Sequence, residues 1–218
     1  MSESNNIDPS NLRRDYRRGK LLESDILRDP FAQFARWFAD AQAEGVREPN
    51  AMVLATADAS GSPSARAMLL KEVHDGAFVF YTNYGSRKGT ALDANPRAAM
   101  VFLWEQLERQ VRIEGRVQRN SREDSEKYFH ARPRESQIGA WASQQSQIVP
   151  SRAELEKRES EIEAKYAGKP VPLPDFWGGY RLIPSLIEFW QGRPGRLHDR
   201  IVYEREPDGS WQIRRLQP

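Results

Sequence analysis

The spacing of apolar residues predicts a helix near the start of the chain. Phe31, Phe34 and Phe38 recur at helical spacing, so they lie on one face of that helix. Asp29 precedes the repeat as a side-chain cap, and Pro30 suits the first turn. We therefore expect the helix to begin at residue 30 and to pack its aromatic face against the core.

Beyond residue 50 the pattern changes to short, apolar, β-rich segments. The segments 58–63 and 74–76 have the composition of turns. Closely spaced strands with short turns pair antiparallel, and several of them indicate a barrel. The predicted strands are 51–57, 65–71, 77–82, 98–104, 109–119, 179–183, 186–191, 201–205 and 211–215.

Three helices are predicted between the two groups of strands. Ser121 caps the first, which extends to His130, and a second short helix begins at Pro133. Ser151 and Glu154 form a capping box that opens the third. Strands before and after the helices, without strand–helix alternation, predict an α+β fold.

The first 28 residues are predicted to form a flexible arm, and 29–218 a single α+β domain. Within 13–20 there are five cations and one acid. This charge suits a solvated or nucleic-acid-contacting tail, and it equally suits a lid that closes over an anionic ligand.

Composition excludes several classes of protein. The 218 residues carry a net charge of only +2, which argues against a dedicated nucleic-acid or membrane-surface protein. The absence of cysteine excludes disulfides, thiol nucleophiles and Cys-ligated zinc or iron–sulfur sites. No apolar run has the length of a membrane span, and the polar N-terminus does not look like a secretory signal. We therefore expect a cytoplasmic protein without a nucleic-acid or membrane partner.

Clustered cations mark a first candidate anion site. Ser86, Arg87 and Lys88 open a predicted helix, where cations oppose the helix dipole unless an anion is bound. An exposed basic turn has the same composition. Arg66 and Lys71 flank an apolar strand, and five residues apart they face opposite sides of it if it is regular. Both serve one ligand only if a bulge intervenes or if they bind different groups, and nearby acids are alternative partners.

Two further clusters carry candidate chemistry. Tyr128, Arg132 and Ser136 place two hydroxyls and a guanidinium beside a predicted helix N-terminus, which suits a second phosphate site. The segment 196–200 surrounds a histidine with two arginines and an acid, an arrangement that also fits a surface ion-pair cluster. No G-x-S-x-G or G-x-G-x-x-G motif is present, which argues against a serine hydrolase and a Rossmann site.

One long motif resembles a known family. The run 187–191, four further residues and then 196–200 are similar to the C-terminal signature of the pyridoxamine 5′-phosphate oxidase family. The resemblance covers 12–218. Other segments agree in order, namely 13–16, Arg66 with Lys71, 81–83, 86–88, 108–110, 128–133, 136–141, 145–146 and 176–179.

The resemblance implies an FMN-binding split β-barrel of mainly antiparallel strands with peripheral helices. It also implies a homodimer with FMN at the subunit interface. The FMN contacts that it implies are Arg66, Ala67, Met68, Leu69, Leu70, Lys71, Tyr81, Thr82, Ser86, Arg87, Lys88, Gln110, Gln145, Ser146, Trp190 and Arg200.

The implied reaction is oxidation of pyridoxamine 5′-phosphate or pyridoxine 5′-phosphate to pyridoxal 5′-phosphate. A hydride passes from the substrate's 4′ carbon to flavin N5, and O2 reoxidises the flavin and yields H2O2. Of the implied substrate contacts, Arg13, Tyr16, Arg196 and His198 are the candidate catalytic residues. We expect Arg196 and His198 to orient the 4′ substituent, and His198 to assist proton transfer. The full implied set is Arg13, Arg14, Asp15, Tyr16, Lys71, Tyr128, Arg132, Ser136, Arg196, Leu197 and His198.

Three other functions are weighed against this one. A split-barrel FMN reductase or flavin-binding module with another substrate would keep 86–88, but it is not expected to combine Arg132 with 196–200. A nucleic-acid-binding protein would use the basic arm and would show salt-dependent binding. A non-catalytic carrier of pyridoxal phosphate would bind the product without oxidising the substrate.

Overall fold

Nine strands and five α-helices make up the computed structural model, which describes residues 9–12 and 15–218. The helices are α1 (Pro30–Ala43), α2 (Arg87–Ala94), α3 (Arg122–Ala131), α4 (Arg134–Ala142) and α5 (Arg152–Lys165). The strands are β1 (Ala51–Ala57), β2 (Pro63–Leu69), β3 (Glu72–His74), β4 (Ala77–Asn83), β5 (Arg97–Trp104), β6 (Arg109–Arg119), β7 (Trp177–Gln191), β8 (Asp199–Arg205) and β9 (Trp211–Leu216).

All the strands belong to one antiparallel sheet with the order β2-β1-β5-β6-β7-β4-β3. Strand β7 pairs with β6 from Tyr180 to Gln191, whereas its first part pairs with β4 and its last part with β8. Strand β9 pairs with β8. The sheet therefore branches at β7, and the two ends of that strand lie in different parts of the fold.

The predicted α+β fold is confirmed, and most predicted elements lie within a few residues of the observed ones. One difference is that 179–183 and 186–191 form a single strand, β7. The break that the sequence predicts between these two segments corresponds, in the structure, to a shift in the β6–β7 register. This shift lies between Glu114 and Gly115 of β6, opposite Pro184. Proline lacks the amide proton for a ladder hydrogen bond, so a bulge at this point lets β7 continue through it.

Helix α1 packs on the sheet through the aromatic face that its spacing predicts. The ring of Phe34 lies 5.1 Å from that of Phe78 and 5.2 Å from that of Phe102, and Trp37 lies 5.1 Å from Phe189. These edge-to-face pairs are buried. Truncating any one of these rings to alanine would cost about 3–5 kcal/mol of folding stability.

A smaller apolar cluster holds α3 and α4 against the start of β7. It is formed by Phe129, Ile138, Val171, Leu173 and Trp177. Because Phe129 anchors the last turn of α3, the residues on either side of it are fixed beside β4 and β7. This cluster therefore determines where Tyr128 and Arg132 lie.

The described part of the N-terminal segment lies on the body of the protein. Leu21 is only 2% exposed, and its amide donates to Asp199 Oδ2 at 3.0 Å. The Tyr203 hydroxyl donates to the carbonyl of Leu27 at 2.7 Å. The division into an arm (1–28) and a domain (29–218) stays a prediction.

Within residues 9–12 and 15–218, no helix combines the length and apolar character that crossing a bilayer requires.

Candidate active site

A cavity of about 750 Å³ lies between β2, β4 and the α3–α4 pair. We call it the basic cavity, because Arg66, Lys71, Lys88 and Arg132 line it. It brings together residues of both predicted phosphate sites. The predicted site residues that line it are Arg66, Ala67, Met68, Lys71, Tyr81, Thr82, Lys88, Tyr128, Arg132, Ser136 and Gln145.

The start of α2 supplies one end of the basic cavity. Ser86 caps the helix, since its hydroxyl accepts from the Gly89 amide at 3.3 Å and donates to the Asn83 carbonyl at 2.7 Å. A side chain at Gly89 would lie 2.2 Å from the backbone oxygen of Tyr84, so only glycine fits there. The tight turn places the following cation, Lys88, inside the protein.

Lys88 is a buried cation with neutral partners. Lys88 is 8% exposed, and its Nζ donates to Thr82 Oγ1 and Gln145 Oε1, both at 3.2 Å. Among the described residues, no carboxylate forms an ion pair with Lys88 or Arg66. Burial, and then the charge of Arg66, lower the pKa of Lys88. The pKa of Arg66 is lowered in turn by burial and by Arg87.

These mutually repelling cations fit a bound phosphate. A phosphate monoester brings negative charge and several acceptor oxygens, and the N-terminus of α2 adds a favourable dipole. A bound phosphate would offset the repulsion between Lys88 and Arg66, and it would raise the pKa of Lys88 towards its ordinary value. The residues present therefore fit the phosphate of FMN, and Lys88 and Arg66 would hold it.

The opposite end of the basic cavity is built around Arg132. Its Nη1 atom is buried and has no hydrogen-bond partner within the described chain. Its guanidinium lies 4.6 Å from the centre of the Trp177 ring, and burial lowers its pKa. Tyr81 and Tyr128 stack at 3.9 Å beside it. The guanidinium thus packs against aromatic rings, and one of its buried donors has no acceptor within the described chain.

Arg66 and Lys71 both line the basic cavity, although they face opposite sides of a regular strand. Strand β2 ends at Leu69, so Lys71 lies beyond it. The amide of Leu70 donates to Asn50 O, and the amide of Lys71 donates to Val79 O. The chain has therefore turned towards β4 before it reaches Lys71.

A second pocket, of about 620 Å³, lies at the other end of β7. We call it the aromatic pocket. Its centre is formed by Trp190, with the His198 ring at 4.7 Å and the Tyr16 ring edge-on at 5.6 Å. Asp15 and Arg196 also line it. It therefore collects four of the predicted substrate contacts, Asp15, Tyr16, Arg196 and His198.

The protonation of His198 is fixed by its surroundings. The Arg193 amide donates to His198 Nδ1 at 3.1 Å, so the neutral ring carries its proton on Nε2. Burial, and then the charge of Arg196, lower the pKa of His198, while Asp199 opposes them. Near neutral pH the side chain is an uncharged ring with an Nε2–H donor.

Arg200 is held beside the aromatic pocket by a buried carboxylate. Glu188 is 2% exposed and accepts from Arg200 Nε at 2.9 Å and from Arg200 Nη2 at 3.0 Å. Arg112 Nη1 donates to the same carboxylate at 3.1 Å. Hydrogen bonding to Glu188 raises the pKa of Arg200. Strand pairing places Gln110 opposite Trp190, on the same face.

The two pockets are well separated along one chain. Trp177 lines the basic cavity and Trp190 the aromatic pocket, thirteen positions apart on β7. At about 3.3 Å per residue, that is a contour of roughly 40 Å. The predicted FMN residues are thus divided, with Gln110, Trp190 and Arg200 away from the basic cavity.

The remaining predicted site residues that the structure describes line neither pocket. Leu70 belongs to the core, and Ser86 is buried beneath the α2 turn. Arg87 lines a separate groove beside Asp58. Ser146 has a positive φ of 73°, Leu197 is 73% exposed, and Leu69 ends β2. Arg13 and Arg14 lie outside the described residues.

Several lining residues were not predicted as site residues. Trp177 and Ser143 line the basic cavity, and Arg193 lines the aromatic pocket. Trp177 stands in the matched segment 176–179, which was a signal for it. Arg193 acts through its backbone amide, and no side-chain pattern reveals that role.

Solved structures confirm the split-barrel architecture. PhzG from Burkholderia lata 383, crystallised with tetrahydrophenazine-1-carboxylic acid, is 32% identical and has a TM-score of 0.85, covering 91% of this chain and 98% of that one. A pyridoxamine 5′-phosphate oxidase-related, FMN-binding protein from Nostoc punctiforme is 14% identical with a TM-score of 0.69, covering 86% and 96%. The second supports the fold alone.

Sequence relatives extend over the whole chain. A pyridoxine/pyridoxamine 5′-phosphate oxidase from Rubrobacter xylanophilus is 56% identical over 218 residues, which is all of both chains. One of the same name from Thermosynechococcus vestitus is 58% identical over 209 residues, covering 96% of this chain and 98% of its own. The family model "Pyridoxamine 5'-phosphate oxidase" matches 38–166, and "Pyridoxine 5'-phosphate oxidase C-terminal dimerisation region" matches 177–218. The chain belongs to the pyridoxamine 5′-phosphate oxidase family.

Proposed function

We propose that this protein is an FMN-dependent oxidase that converts pyridoxine 5′-phosphate and pyridoxamine 5′-phosphate to pyridoxal 5′-phosphate. The observation that carries the proposal is the pair of anion-binding centres in one cavity. Lys88 and Arg66 form one centre and Arg132 the other. FMN and the substrate each carry one phosphate, so two centres match the two ligands.

The first centre holds FMN through charge and hydrogen bonding. When bound, FMN supplies the hydride acceptor for oxidation at the substrate's 4′ carbon, and O2 takes the electrons from it to give H2O2. Lys88, Arg66 and the capped turn at Ser86 supply donors for the phosphate. Thr82 and Gln145 hold the Lys88 ammonium in place from the other side.

The second centre orients the substrate. Arg132, Tyr128 and Ser136 surround the same part of the basic cavity, where a phosphate accepts from a guanidinium and two hydroxyls. The rigid stack of Tyr81, Tyr128 and Trp177 fixes the guanidinium. Holding the phosphate at one end places the pyridine ring in one geometry, which is what hydride transfer requires.

The aromatic pocket supplies the groups that meet the pyridine ring. His198 presents an Nε2–H donor, and Arg196 adds a guanidinium. The geometry favours orientation of the 4′ substituent by His198 over proton abstraction, because the Nδ1 lone pair is already used by Arg193. Tyr16, in the N-terminal segment, lies edge-on to Trp190 and His198 and covers this side of the aromatic pocket.

We further propose that FMN lies between two subunits of a homodimer. The dimerisation region, 177–218, contains Trp190, Arg196, His198 and Arg200, which form the aromatic pocket and its edge. The basic cavity of one subunit and the aromatic pocket of its partner together supply every kind of contact that the reaction needs. The contour of roughly 40 Å along β7 between Trp177 and Trp190 supports this arrangement over a site within one chain.

Anaerobic reduction tests the activity. The FMN-loaded protein, mixed with pyridoxine 5′-phosphate without oxygen, is expected to lose its visible flavin absorbance and to regain it in air with release of H2O2. Pyridoxine without the phosphate is the matched control, and at equal concentration it is expected to leave the flavin oxidised. A flavin that pyridoxine 5′-phosphate does not bleach would favour another split-barrel flavoprotein or a pyridoxal phosphate carrier.

A further inference from the structure

Glu108 lies where the N-terminal segment meets the aromatic pocket. It follows the 3-10 turn Glu105–Leu107 and directly precedes β6, with a positive φ of 54°. Its Oε2 atom accepts from the backbone amides of Arg17 and Arg18, both at 2.8 Å. One carboxylate therefore binds two successive amides that are about ninety residues away in sequence.

The segment 15–20, which we call the strap, has other attachments at Arg18 and Gly19. The Arg18 side chain donates to Glu44 at 2.5 Å and also to the Gln106 carbonyl. Arg193 Nη1 donates to the Gly19 carbonyl at 3.3 Å. The Arg193 bond holds one backbone carbonyl of the strap, whereas Glu108 holds two successive backbone amides.

Glu108 also contacts the end of β7. Its carbonyl accepts from the Gly192 amide at 2.8 Å. Gly192 is in close contact with the strap, because a Cβ atom there would lie 2.7 Å from Tyr16 Cγ. The side chain and backbone of Glu108 thus join the strap to the strand that carries Trp190.

We propose that Glu108 is a positioning residue that docks the strap and thereby sets Tyr16 over the aromatic pocket. Tyr16 lies edge-on to both Trp190 and His198, at 5.6 and 5.5 Å. That geometry depends on the backbone one and two residues further on, where Glu108 binds. The role of Tyr16 towards substrate rests on the proposed function, whereas the docking itself does not.

The effect of Glu108 on docking is large enough to measure. A hydrogen bond to a charged group shifts an equilibrium by at least about tenfold. Losing the carboxylate removes two of them from one short segment. We expect the exchange protection of the strap amides to fall at least about tenfold, and the KM for substrate to rise as the docked fraction falls.

Two variants separate docking from folding. Glu108→Asn shortens the side chain out of reach, and asparagine tolerates the positive φ. Glu108→Gln keeps the length and one acceptor oxygen but removes the charge, so its effects are expected to be intermediate. Glu105→Gln is the matched control, since Glu105 is an exposed acid in the same turn whose carboxylate has no hydrogen bond or ion pair within the described chain.

The test combines hydrogen exchange of the FMN-loaded dimer with steady-state kinetics. The expected result is faster exchange in 15–20, a raised KM for pyridoxine 5′-phosphate and an unchanged Kd for FMN, with Glu105→Gln like the wild type. Unchanged exchange in Glu108→Asn would overturn the docking role. Faster exchange with an unchanged KM would overturn the proposed link between docking of the strap and binding of the substrate. A wild type that oxidises no substrate would refute the proposed function instead, and exchange would still decide whether Glu108 docks the strap.

Discussion

Replacing Lys88 with methionine separates ligand binding from folding, because the two are expected to change in opposite directions. Lys88 is a buried cation whose described partners are neutral, and its pKa is lowered by burial and by Arg66. Methionine keeps an unbranched apolar stem of similar length and removes the charge. The variant therefore loses an attraction for FMN phosphate and also loses an unfavourable burial of charge.

The expected magnitudes follow from the contacts. A charge-assisted hydrogen bond contributes about 1.5–3 kcal/mol, so the Kd for FMN is expected to rise about ten- to a hundredfold. Replacing a buried charge by an apolar group is often stabilising, and we expect the apoprotein to gain about 1 kcal/mol of unfolding free energy. In a chain of this length that corresponds to about 2–4 °C in Tm.

The pH dependence has a definite sign. The pKa of Lys88 is lower in the folded apoprotein than in the unfolded chain, so between the two pKa values the unfolded chain binds more protons. Apoprotein stability therefore rises with pH across that interval. The Lys88→Met apoprotein is expected not to show this rise in stability with pH. FMN binding in the wild type favours the protonated ammonium, so affinity falls as pH passes the lowered pKa.

The assay is a fluorescence titration of apoprotein with FMN, together with thermal unfolding of the apoprotein. Lys127→Met is the matched control, because Lys127 is an exposed lysine on α3. It is expected to change neither quantity. Our reasoning would be refuted by a Lys88→Met variant with wild-type FMN affinity, or by one whose apoprotein is less stable by about 1 kcal/mol or more.

Two further predictions concern the substrate. Arg132→Ala is expected to raise the KM for pyridoxine 5′-phosphate at least about tenfold and to retain FMN, because Arg132 lines the proposed substrate centre and has a donor without a partner in the described chain. A loss of bound flavin as large as the loss of substrate affinity would contradict the division into two phosphate centres. His198→Asn is expected to keep the pH profile of anaerobic flavin reduction, because the Arg193 amide already occupies the Nδ1 lone pair of the neutral ring. Loss of a pH-dependent limb would show instead that His198 takes up a proton.

Much of the fold is readable from local pattern. The start of α1 follows from Asp29 and Pro30, and Ser121 and Ser151 cap α3 and α5 as their spacing predicts. Helix caps depend on contacts within a few residues, so sequence carries them. The position of Ser86 at the start of α2 likewise follows from the sequence, and this is the end of the basic cavity where we propose that the FMN phosphate binds.

The parts that sequence missed depend on contacts between distant segments. Arg66 and Lys71 share a cavity because β2 ends at Leu69, and the apolar run itself does not show where pairing with β1 stops. The candidate site residues fall into two pockets because β7 is a single long strand. The sequence pattern predicted two shorter strands in its place. The burial of Glu188 between two arginines follows from strand register and not from its position in the motif.

The central claim is that each active site combines the basic cavity of one subunit with the aromatic pocket of the other. A complementation measurement tests it directly, using purified heterodimers of one Arg132→Ala subunit and one Arg196→Ala subunit. If the site lies between subunits, one of the two sites is intact, and the heterodimer is expected to have about half the kcat/KM of the wild-type dimer. If each site lies within one chain, both sites carry a defect, and a heterodimer no more active than either mutant homodimer would contradict the claim.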